Sequence, residues 1–93
     1  MPWGPFELCK NRAGYESEPE PRLALDLDAL ERELPAKGLE PLANAGVILV
    51  VRTADNVEVS IFESGKLLVK SRDLARAEAA FRAVAAAIGH PAA

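Results

Sequence analysis

The sequence predicts an α+β domain built on an antiparallel sheet of about four to five strands with two helices, and three stretches carry that prediction. Val57–Lys70 reads V-E-V-S-I-F-E-S-G-K-L-L-V-K, two apolar β-runs joined by a tight turn that contains Gly65. Val47–Arg52 is a continuous β-branched and aliphatic run. Leu74, Ala77, Phe81, Val84 and Ile88 recur at intervals of three and four, the signature of one apolar helix face.

Taken in order, the elements follow from local chemistry. Residues 1–22 read as an irregular arm, because Pro2, Pro5, Pro19 and Pro21 break any helix and S-E-P-E-P is a polar, extended linker. Trp3, Phe6, Leu8 and Tyr15 are too apolar for a free tail, so part of the arm is expected to dock, with one strand over Phe6–Lys10. The single domain spans residues 23–91. Leu27, Leu30 and Leu34 predict a first helix, with Asp28-Ala-Leu-Glu31 in the form of a capping box, Asp26 as the alternative cap, and Pro35 and Gly38 as its end. Leu39–Leu42 is a short strand that Pro41 confines to a sheet edge, and Asn44-Ala-Gly46 is a turn. Thr53–Asn56 turns the chain into Val57–Phe62, whose alternation sets Val57, Val59 and Ile61 on one face and Glu58, Ser60 and Phe62 on the other. Ser71 or Asp73 caps the last helix and Gly89 stops it.

Composition narrows the function classes. A 93-residue chain with 49% hydrophobic residues can build one core. A domain this small buries only about 60 to 65% of its unfolded surface, which leaves pressure to self-associate. The net charge is −3, against strong non-specific phosphate binding. Acids dominate from Glu7 to Glu33, whereas Lys66, Lys70, Arg72, Arg76 and Arg82 outnumber Asp73 and Glu78 near the end. The lone Cys9 rules out an internal disulfide and a multi-cysteine zinc site. No basic-then-apolar leader and no long apolar run is present, so a soluble cytoplasmic protein is the expectation. The absence of Gln and the wealth of Ala, Leu and Arg fit a thermophilic source.

Leu25–Asp28, Ala45–Arg52, Val59–Val69 and the helix through Ile88-Gly-His-Pro91 resemble, in order and spacing, one half-repeat of the TATA-box-binding protein. The sharpest element is I-F-x-S-G-K before an apolar strand. The resemblance implies a curved antiparallel sheet with both helices on its convex side, and kinship with single-copy halves fused to DNA glycosylases and to bacterial RNases H of the third type. It also implies that Phe62 matches a phenylalanine that wedges between base steps, and that Lys66 matches a basic residue near phosphate. Elsewhere the chain departs from the family: Asn44-Ala45 replaces the partner wedge, Lys70 stands at a hydroxyl position and Val51 at an arginine position. One acidic half lacks the extended basic surface that offsets the cost of kinking a duplex, which argues against a TATA-type role.

A concave apolar surface is therefore expected, with Phe62 and Leu68 joined by one set from Ile48 and Val50. Three coverings compete for it: the arm through Trp3, Phe6 and Tyr15, a second copy of the chain, or a nucleic-acid or protein ligand. The expected working face contains Phe62, Lys66, Leu68 and Lys70. The first function expected is a non-catalytic binding or assembly module, a homo-oligomer or an accessory to another enzyme; the same strand, turn, strand, helix pattern looks like the C-terminal tail of some sulfur-carrier-activating enzymes. The second is weak recognition of structured nucleic acid. The third is thiol chemistry at Cys9, whose neighbours Lys10 and Arg12 would lower its pKa. The only histidine, His90, suits a helix C-terminus rather than catalysis. Glu16, Glu18 and Glu20 form at most a loose cation site and read as solvated. No catalytic residue, cofactor, metal or membrane contact is expected.

Overall fold

In a computed structural model that describes residues 3–8 and 14–89, the chain forms six strands and two α-helices. The strands are β1 (Glu7–Leu8), β2 (Tyr15–Ser17), β3 (Glu40–Asn44), β4 (Ile48–Arg52), β5 (Glu58–Phe62) and β6 (Leu67–Lys70). They make one antiparallel sheet in the order β1-β2-β6-β5-β4-β3. The α+β class stands, but the sheet has six strands instead of four to five, because the arm supplies two of them. The strand expected over Phe6–Lys10 is confined to Glu7–Leu8 among the described residues, and Lys10 lies outside them. Tyr15–Ser17, read as arm and linker, is a strand paired with β6. Its approach depends on Gly14: a Cβ there would overlap the carbonyl oxygen of Val69, so only glycine permits this pairing.

The four strands β3 to β6 form the expected meander. β3 sits at the sheet edge, where the missing N–H of Pro41 removes no ladder bond between two neighbours. A bulge at Leu42 shifts the register between Pro41 and Ala43. Asn44, read as part of a turn, closes the strand instead. Its Oδ1 accepts from the Gly46 N–H at 2.8 Å, and its Nδ2 donates to Asp28 and Glu31 at 2.9 and 3.0 Å. That leaves Asp26 as the cap of α1 (Leu27–Glu33), accepting from the Ala29 N–H at 3.1 Å. The capping box at Asp28–Glu31 is not formed, since Asp28 already lies within the helix, and both carboxylates instead accept from Asn44.

A 3-10 turn over Leu34–Lys37 follows α1 and ends at Gly38 with φ 84°. Asp73 caps α2 (Leu74–Ile88) by accepting from the Arg76 N–H at 3.2 Å, and Gly89 ends it with φ 83°. Lys37 donates to the carbonyl of Ala87 at 2.8 Å, placing a cation at the C-terminal end of α2 and joining the two helical segments. Ala77, Phe81 and Val84 are buried as their spacing requires, with Ala80, Ala85 and Ala87 beside them. Leu74, counted on the same stripe, is 48% exposed in the first turn.

Both helices lie on one side of the sheet, α1 against β3 and β4, α2 against β5 and β6. Leu49, Val51, Val59, Ile61, Leu67 and Val69 point toward them and have no exposed surface. They share one core with Leu27, Leu30, Leu34, Phe81 and Val84. No helix among the described residues is long and apolar enough to cross a membrane.

Candidate interaction face

The other side of the sheet is where the expected site lies, and strand register determines what it displays. Side chains alternate, so the residues between the buried ones face outward in rows that run across the strands. One row is Ala43, Val50, Ser60, Leu68 and Glu16, from β3 to β2. A second is Glu40, Arg52, Glu58 and Lys70, from β3 to β6. A third joins Ile48 on β4 to Phe62 on β5. Ile48, Val50, Phe62 and Leu68 are half-buried and adjacent, an apolar patch around the buried Ser60.

All four residues singled out from the sequence meet on this face. Phe62 and Lys66 flank the β5–β6 turn, where the Phe62 N–H donates to the Lys66 carbonyl at 2.9 Å. Lys66 Nζ stands 5.3 Å from the centroid of the Phe62 ring and 3.7 Å from the Glu16 carboxylate. Leu68 lies two residue pairs further along the hairpin, opposite Ser60, and Lys70 lies opposite Glu58. Val51 is fully buried beneath the helices and cannot reach this surface.

Among the described residues, the arm does not cover the patch. Trp3, 6% exposed, docks on the helix side: its indole N–H donates to the Gly65 carbonyl at 2.8 Å, and its ring meets Phe81 edge-on at 6.0 Å. Phe6 stacks on Tyr15 at 5.3 Å and touches Phe81 at 4.9 Å. The segment that returns toward α1 clasps the same turn, through the Leu23 N–H on Ser64 at 2.8 Å and the Leu25 N–H on Glu63 at 2.9 Å. Gly65, at φ 92°, leaves space for Pro19 and Leu23, whose side chains would lie 2.7 and 2.9 Å from a Cβ placed there. The described part of the arm therefore braces the hairpin that bears Phe62 from the helix side.

Charges on this surface are paired with neighbours of opposite sign. Arg52 donates from Nη2 and Nε to one oxygen of Glu40, at 2.8 and 3.2 Å. Lys66 pairs with Glu16, and Lys70 has Glu58 as its cross-strand neighbour. The row Glu40, Arg52, Glu58, Lys70 alternates in sign across four strands, a pattern that only the register reveals because these residues are far apart in sequence. Cys9, Lys10, Arg12 and His90 lie outside the described residues. Glu16 is committed to the ion pair with Lys66, Glu18 and Glu20 are exposed, and no acidic or histidine cluster among the described residues is placed to hold a metal.

Comparison of the chain with protein-family models, with curated proteins and with solved structures found no match.

Proposed function

We propose that the protein is a non-catalytic assembly module that self-associates through the open face of its sheet, with Phe62, Lys66, Leu68 and Lys70 at the contact and Ile48 and Val50 completing it. The observation that carries this reading is the contiguous, half-exposed patch of Ile48, Val50, Phe62 and Leu68 on a side that, among the described residues, neither helix nor the docked arm covers. Apolar side chains grouped in this way lose surface to water at about 25 cal/mol per Å2 when a partner covers them. The charged row at one end of the patch and the Lys66–Glu16 pair at its side supply part of the polar rim that protein interfaces carry.

The kinship with a TATA-binding-protein half remains part of this proposal and rests on the order and spacing of its strand and turn motifs. Nucleic acid is the weaker partner, because Arg52 and Lys66 are both engaged by carboxylates and Lys70 has an acid beside it. A phosphate backbone would have to displace those acids.

Light scattering and sedimentation across protein concentration test the reading. A four-strand face about 19 Å wide and about 17 Å long gives a footprint of about 300 Å2 per copy, in the range of weak, transient contacts. The dimer is accordingly expected to be weak, with dissociation in the micromolar to sub-millimolar range. Phe62→Asp should leave the far-ultraviolet dichroism unchanged and abolish the dimer, because a charge would be buried without a partner. A wild-type chain that stays monomeric at ~1 mM, or a dimer that survives Phe62→Asp, would remove the proposed face.

A further inference from the structure

The alternating row specifies how two copies would meet. We infer that the contact is a face-to-face pair of sheets related by a two-fold axis that runs parallel to the strands, between β4 and β5. The inference rests on the self-association proposed above and adds its geometry.

An interface between identical copies must be complementary to itself. With the axis between β4 and β5, β3 of one copy lies over β6 of the other, and β4 over β5. The row Glu40, Arg52, Glu58, Lys70, negative then positive twice over, is then set on its own reverse. Glu40 faces the second copy's Lys70, and Arg52 faces its Glu58, so every charge in the row meets its opposite. In the other two rows Val50 faces Ser60, Leu68 faces Ala43, and Ile48 faces Phe62, which keeps apolar groups against apolar or small ones.

The competing arrangement fails on the same residues. An axis perpendicular to the strands reverses the rows, laying the charged row over Ile48 and Phe62 and burying charge against apolar surface. Strands related by the parallel axis stay nearly aligned, as in packed sheets, where the twist of each sheet sets them about 30° apart. Arg52 and Glu40 already pair within one copy at 2.8 Å, so in the assembly Glu40 gains the second copy's Lys70 without losing Arg52.

A mixing experiment tests the geometry. Glu40→Lys and Lys70→Glu each place like charges opposite one another twice in a homodimer, and each variant alone should dimerise at least about tenfold more weakly than wild type. Mixed one to one, the two variants should recover the lost affinity, because both contacts of the mixed dimer then set a lysine against a glutamate. The mixture compares variants whose individual folding defects, if any, are present before and after mixing, so recovery reports on the contact alone. If Phe62→Asp breaks the wild-type dimer but the mixture stays as weak as its components, the face is the interface and the two-fold geometry is wrong. If the wild type is monomeric, or its dimer survives Phe62→Asp, the geometry falls together with the face.

Discussion

Leu49 and Val50 are adjacent on β4, yet Leu49 has no exposed surface and lies under the helices, whereas Val50 remains half-exposed on the opposite side. The same division holds along β6, and along β5 apart from the buried Ser60. Helices, arm and 3-10 turn all converge on one face, where Trp3 and Phe81 extend the core past the edge of the meander. The opposite face is apolar in its middle and charged around it, with no helix of the described chain over it. A sheet surface built only for solvent would alternate more fully to polar residues, as antiparallel sheets with one wet side do. The contrast teaches that this chain packs both helices on one side and leaves an apolar strip on the other, the strip on which the proposed contact rests.

Substitutions sharpen this contrast, and the largest effect should come from the arm. Trp3→Ala removes a buried indole, its hydrogen bond to Gly65 and its edge contact with Phe81, and should cost about 3 to 5 kcal/mol in a denaturant melt of dilute protein. A loss below about 1 kcal/mol, within the range of ordinary surface changes, would show that the arm is not part of the folded core.

Next in size is the neighbouring pair on β4. Leu49→Ala should destabilise by about 2 to 5 kcal/mol through the cavity it opens beneath the helices. Val50→Ala should cost about 1 kcal/mol or less in the monomer, since its methyls are already partly in water, while weakening self-association. Equal losses at the two positions would erase the distinction between the faces. The smallest effect belongs to the rim: Arg52→Ala should change monomer stability by only about 0.2 to 1 kcal/mol, because its pairing with Glu40 is solvated. Its larger signature should be a weaker dimer at low salt that converges on wild type as salt rises, measured by sedimentation.

The central β-hairpin, the edge strand at Pro41 and both helices were legible in the chain itself, because each depends on periodicity or on residues close in sequence; of the caps, Asp73 was one of two candidates and Asp26 only the alternative to a capping box at Asp28 that does not form. Alternation in Val57–Phe62 was enough to put Phe62 and Ser60 opposite Val59 and Ile61. The strand Tyr15–Ser17 was not legible. Three residues have no period, and what makes them a strand is β6 lying alongside and the contact of Gly14 with Val69, partners from the far end of the chain. For the same reason the sequence left open which surface the aromatic arm would cover.

The sequence by itself determined which side chains each strand would send to opposite faces, since the pleat is a property of consecutive residues. Tertiary structure alone decided that the arm braces the hairpin from the helix side, and that Glu40, Arg52, Glu58 and Lys70 align into one row of alternating charge. Those outcomes depend on register and docking between distant segments, and no local preference encodes them.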